Sequence, residues 1–159
     1  LDTYSHHVVT EPTATEAEVS SVAMTTYLLI PALLGISTDP ADGLVVGTAL
    51  DCDGERLEGA QVVMRDASTG ALAEGHVVKY TVDRYPRGTQ QETSADGLWL
   101  AINVPPGDWV AELYTSDGAG GHDLMSSTPV HVRAESLHMI ETQVGHQTGV
   151  VMPTACLDC

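Results

Sequence analysis

Gly43-Leu-Val-Val-Gly47-Thr-Ala-Leu-Asp51-Cys52-Asp53-Gly54-Glu55-Arg-Leu-Glu-Gly59-Ala60-Gln-Val62-Val-Met64 is the stretch on which the fold turns. It reads as a strand rich in β-branched residues, a tight Asp-Gly turn and a second strand. A matching stretch follows at Glu92-Thr93-Ser-Ala-Asp96-Gly97-Leu-Trp99-Leu-Ala101-Ile-Asn-Val104-Pro105-Pro106-Gly107-Asp-Trp109-Val-Ala111. There Asp-Gly and Pro-Pro-Gly punctuate two further alternating strands.

Outward from these, the pattern predicts strands at residues 44–50, 60–66, 76–82, 89–93, 98–103, 109–115, 129–134 and 137–144. Short strands at this spacing, separated by turn residues and with no helices between them, predict a sandwich or barrel and not a βαβ sheet. Side-chain alternation places Val45 and Ala49, Val62 and Met64, Trp99 and Ala101, and Trp109, Ala111 and Leu113 on inner faces.

Taken together, the two stretches resemble the carboxypeptidase regulatory-like domain, a transthyretin-like (prealbumin-like) β-sandwich of bacterial exported proteins. The resemblance implies a mainly β fold: a seven- to eight-stranded antiparallel sandwich over residues 43–145, with an added N-terminal helix. It also implies an extracytoplasmic setting, and a structural or binding role more often than a catalytic one.

The flanking segments divide the rest of the chain. Residues 1–12 carry no periodicity and read as an extended arm. Residues 13–36 read as a helical and apolar segment, because Thr13 and Glu16 form a capping box and Val19, Val22, Ala23, Tyr27 and Ile30 recur at helical spacing until Pro31, giving a helix over about 15–29. Its apolar run holds Tyr27, Leu28, Leu29, Ile30, Leu33, Leu34 and Ile36 and is too short for a membrane span. The expectation is that this run covers an open sheet edge, with docking against a neighbouring molecule as the sharper alternative. Residues 146–159 form a C-terminal cysteine tail.

Six Lys and Arg against 22 Asp and Glu give a formal charge of −16. Such a charge repels phosphate backbones, so nucleic acid is excluded as a partner class. A length of 159 residues is enough to bury a core without a metal or a disulfide. Leu1 in first place, with no signal-like segment, fits an exported chain already processed. Cys52, Cys156 and Cys159 make an odd count, which in that setting implies one internal bridge, with Cys52 pairing one of the other two, and one free or intermolecular thiol.

Candidate chemistry is sparse. Asp51, Asp53 and Glu55 alternate around a turn and offer hard oxygen ligands of the kind calcium takes, although the full calcium-loop pattern is missing, so no cofactor is expected beyond a possible calcium ion. Intradiol dioxygenases share the transthyretin-like architecture, and Tyr80, Tyr85 and His131 would be the counterparts of their iron ligands; Arg133 stands where a second His belongs. His122 and Asp123, next to the glycine-rich 118–121 loop, read as surface residues. The reading that follows is a non-catalytic structural or assembly subunit outside the cytoplasm, associating with itself or with a larger envelope complex. The alternatives are a carbohydrate- or peptide-binding module and, behind it, a dioxygenase-like iron enzyme.

Overall fold

The computed structural model describes residues 2–5, 24–116 and 118–145. Within them the order is β1 (Asp2–Ser5), α1 (Met24–Leu33), β2 (Gly43–Leu50), β3 (Ala60–Asp66), β4 (Val77–Val82), β5 (Tyr85–Arg87), β6 (Leu98–Val104), β7 (Gly107–Ser116), β8 (His122–Val132) and β9 (Ser136–Gln143). A six-stranded sheet ordered β1-β9-β2-β6-β4-β5 faces a three-stranded sheet ordered β3-β7-β8. The protein is thus a mainly β sandwich with a short N-terminal helix.

Three features depart from the sequence-based expectation. First, the larger sheet is mixed and not antiparallel: β9 runs parallel to β2, and β1 parallel to β9. The turn at Glu135, with φ at 49°, returns the chain from β8 to the opposite sheet instead of to its neighbour. Second, residues 89–93 form no strand. Thr93 serves instead as a clasp, its hydroxyl accepting from the Ala60 N–H and donating to the Leu57 carbonyl. Third, the strand expected at 129–134 begins at His122, and β5 pairs with β4 across a two-residue turn.

The inner-face assignments match the core. Val45, Ala49, Val62, Met64, Trp99, Ala101, Trp109, Ala111 and Leu113 are buried in one cluster between the sheets. Burying these mainly aliphatic side chains is the dominant stabilising term. The free edge of β3 is closed by groups of the chain itself: Val62 donates to the Tyr80 hydroxyl, Ala73 donates to the Met64 carbonyl, and Asp66 donates to the Ala71 carbonyl. Pro129 interrupts the β8 edge and Pro86 the β5 edge, each removing a backbone donor from a position open to a further strand.

A second apolar layer lies on the outer face of the six-stranded sheet. Leu44, Leu100, Ile102 and Leu137 form it, and Ile30, Leu34 and Ile36 pack on them. Helix α1 therefore covers a sheet face and not a sheet edge, correcting the sequence expectation. It also runs through Pro31 instead of ending there. Asn103, in the left-handed region at φ 58°, fastens the following linker by donating to the Ser37 carbonyl and accepting from the Asp39 N–H. Residues 15–23 of the expected helix lie outside the described residues. No helix among the described residues is long and apolar enough to cross a membrane.

Candidate functional site

The residues singled out by sequence separate in space. Among the interaction candidates, Ile30, Leu34 and Ile36 pack against the sandwich. Leu29 and Leu33, one helical turn apart, are 55% and 62% exposed. The side chains of Tyr27 and Leu28 lie outside the described residues. Helix α1 thus shows apolar groups on two sides, only one of which is covered by the sandwich.

The iron grouping is not assembled. Tyr80 points into the core, where its hydroxyl accepts the Val62 N–H, and burial raises its pKa. Tyr85 projects into solvent from the edge strand β5. His131 stands on the other sheet, with its Nδ1 2.6 Å from the Asp108 carboxylate in an exposed pair. With two of the three on separate sheets and the third in the interior, they share no coordination point.

Asp51, Asp53 and Glu55 occupy the β2–β3 turn as expected, but one Asp51 oxygen accepts the backbone N–H groups of both Asp53 and Glu55. Among the described residues no three His, Cys, Asp or Glu side chains converge as a metal-binding group. Cys52 sits half-buried in the same turn, against the core. Cys156 and Cys159 lie outside the described residues. A Ser–His contact does exist: Ser136 Oγ is 2.6 Å from His138 Nε2 and 2.5 Å from the Arg133 carbonyl. Both side chains are almost wholly buried, so the contact fixes the β8–β9 turn and offers no nucleophile to a substrate.

The most organised polar site is one that sequence reasoning passed over, at the end of the sandwich where the β2–β3 turn meets the β4–β5 hairpin. At its centre is Asp96. Its carboxylate accepts from the Thr81 hydroxyl at 2.6 Å, the Arg84 N–H at 2.7 Å, the Leu98 N–H and the Ser94 hydroxyl. Burial works to raise its pKa, and these four bonds outweigh it and hold the group below the usual carboxylate range. The Asp96 carbonyl meanwhile accepts from the Arg56 guanidinium at 2.6 Å.

The tie to Arg84 matters because the hairpin is awkward. Asp83 and Arg84 both have positive φ, 52° and 67°, in a two-residue turn of a kind that ordinarily takes Asn-Gly. Asp96 holds this turn in place from outside. The sequence signal was available in Asp83-Arg84 flanked by Val82 and Tyr85, but without glycine it does not read as a hairpin. An open, polar groove of about 480 Å³ runs beside the site between Arg56, Glu55 and Glu141.

No family model matches the sequence. No curated protein matches it either. Among solved structures, the chain is similar to a Streptococcal ancillary pilin, at 20% identity and a TM-score of 0.42 over 70% of this chain and 34% of that one. It is similar to BcpA, the major pilin subunit of Bacillus cereus, at 16% identity and a TM-score of 0.36 over 66% of this chain and 31% of that one. The Bacillus anthracis TIE protein gives 16% identity and a TM-score of 0.37 over 65% of this chain and 17% of that one. The chain spans about a third or less of the length of these structures. At these scores no role, partner or compartment is carried across from them.

Proposed function

We propose that this chain is a non-catalytic, extracytoplasmic β-sandwich that acts by protein association, with copies of itself or with a larger envelope complex, and that the outer side of α1 is a contact surface. The resemblance of residues 43–107 to the carboxypeptidase regulatory-like domain supports the compartment and the class. The observation that carries the reading is the exposure of Leu29 and Leu33 on a helix whose opposite side already seals the sandwich. Burying a leucine of this kind in a contact is worth about 1.5–3 kcal/mol.

The sugar-binding alternative has less support, because Trp99 and Trp109 are both committed to the core and leave no indole platform. The experiment is light scattering on the full chain, with and without reductant, beside a Leu29→Asp/Leu33→Asp variant. A wild-type oligomer that the variant loses supports the reading. A wild-type monomer under both conditions overturns self-association.

A further inference from the structure

The end of the sandwich organised by Asp96 carries two surfaces of opposite charge side by side. Of six basic and 22 acidic residues, residues 79–88 hold three basic ones, Lys79, Arg84 and Arg87, against the single acid Asp83; this leaves three basic and 21 acidic residues elsewhere. Arg84 and Arg87 are exposed. Neither enters an ion pair with a described residue, where the pairs are Arg65 with Glu112 and His131 with Asp108. Between them Tyr85 is 66% exposed. Unpaired arginines around an exposed tyrosine are the composition of a protein interface.

Residues 51–58, next to this hairpin, hold Asp51, Asp53, Glu55 and Glu58 against Arg56 alone. Arg56 is turned back onto the Asp96 carbonyl, and Asp53, Glu55 and Glu58 face solvent. Asp96 places the two patches together, since its carboxylate holds the Arg84 backbone and its carbonyl holds Arg56. The hairpin is also fixed in advance of any contact, which lowers the ordering cost of docking. Pro86 at the centre of β5 blocks strand addition at that edge, so a partner must be met through side chains.

We propose that two copies of this chain dock end to end about a twofold axis, with the β4–β5 hairpin of each against the 51–58 turn of the other. A twofold contact needs a self-complementary surface, and a basic patch beside an acidic one supplies it: each half meets its opposite. Nucleic acid or an anionic membrane would also suit the hairpin, but either would lie against the neighbouring acidic turn, whereas a second copy meets both patches with their opposites. The proposal rests on the association reading above and assigns it a second, charge-driven surface.

The test is sedimentation equilibrium of the full chain at about 50 mM and about 500 mM salt, with charge-reversed variants. The wild type should dimerise at low salt, and its dissociation constant should rise roughly tenfold or more at high salt. Arg84→Glu/Arg87→Glu and Asp53→Lys/Glu55→Lys/Glu58→Lys should each lose the salt-dependent association and keep only what the α1 contact supplies, and an equimolar mixture of the two should recover it. That recovery excludes misfolding as the cause of the loss. A wild type with no salt-dependent dimer, variants that keep the wild-type salt dependence of association, or a mixture that does not recover it would overturn the proposal. Association lost in Leu29→Asp/Leu33→Asp but kept in both charge variants would reject this surface while leaving the α1 contact standing. The reverse pattern would reject the α1 contact alone.

Discussion

Gly47 of β2 and Trp99 of β6 are paired across the ladder, and the indole of Trp99 lies where a Cβ on Gly47 would stand. Atoms Cε2, Cζ2 and Nε1 of the ring all overlap that position. The glycine is required by space and not by backbone conformation. Gly47→Ala should therefore destabilise the fold by about 1–3 kcal/mol, the cost of overpacking a filled core, read as a lower urea midpoint with an unchanged slope. Trp99 is fully buried, and its Nε1–H has no hydrogen-bond partner among the described residues. A smaller ring there relieves the clash, so Gly47→Ala/Trp99→Phe should lose less stability than the two single changes summed. Strict additivity would show that the two positions do not share the space.

Asp96 should behave as the fastener of the β4–β5 hairpin. Asp96→Ala leaves the Arg84 and Leu98 N–H groups and the Thr81 hydroxyl without their acceptor. The expected cost is roughly 2 kcal/mol, a hydrogen-bonded charge being worth more than a neutral acceptor. Amide exchange should quicken around residues 82–86 before it does in the core strands. Equal acceleration throughout would mean that Asp96 supports the whole domain and not the hairpin.

Much of the sandwich is legible because its strands alternate cleanly, and the inner face of β7 at Trp109, Ala111 and Leu113 follows directly from period two. The outer layer was less visible, although the sequence carries its mark: Leu98-Trp99-Leu100-Ala101-Ile102 is apolar on both parities, as expected for a strand covered on two sides. Read as one inner face, it hid the seat of α1. The parallel course of β9 has no local signal, because Glu135 directs the chain between sheets by conformation alone. The Asp96 site escaped for a related reason. Its partners Thr81, Arg84, Ser94 and Leu98 are individually ordinary, and only the fold makes them one group.

This outer layer sets the result of truncation. Removing residues 13–36 would bare Leu44, Leu100, Ile102 and Leu137 together. Each contributes about 1.5–3 kcal/mol when buried. The truncated chain should bind a hydrophobic dye strongly and aggregate, unlike Leu29→Asp/Leu33→Asp. A truncated chain that stays soluble and dye-silent would show that α1 is dispensable to the core.

Acid sensitivity should be traceable to Asp66. One of its carboxylate oxygens accepts from the hydroxyl and N–H of Ser68 and from the N–H and hydroxyl of Thr69, which hold its pKa down to about 2 from 3.8. A carboxylate whose pKa is lower in the folded state stabilises the fold above its unfolded pKa, and that contribution is lost as pH falls through the folded value. The window therefore runs from about pH 4 down to about pH 2. Across it, Asp66→Asn should flatten the fall in stability relative to the wild type. Parallel acid-denaturation curves would remove Asp66 as a contributor.

The pairing of Cys52 can be argued from where β9 ends. Leu50 stands opposite Gln143, the Val144 N–H donates to the Leu50 carbonyl, and the Gln143 side chain donates to the Cys52 carbonyl at 3.4 Å. The chain thus passes Cys52 as it leaves the sandwich, and the eleven residue-to-residue steps from Gly145 to Cys156 span at most about 36–40 Å, ample to return to it. We propose that Cys52 is bridged to Cys156 or Cys159. The bridge closes a loop of roughly 100 residues and should add about 3–5 kcal/mol by restricting the unfolded chain. Peptide mapping without reductant should recover Cys52 joined to a C-terminal peptide, and Cys52→Ser should lower the midpoint of unfolding to that of the reduced wild type. Full alkylation of Cys52 in the native, unreduced protein would refute the bridge, and with it one of the reasons for placing the chain in an oxidising compartment.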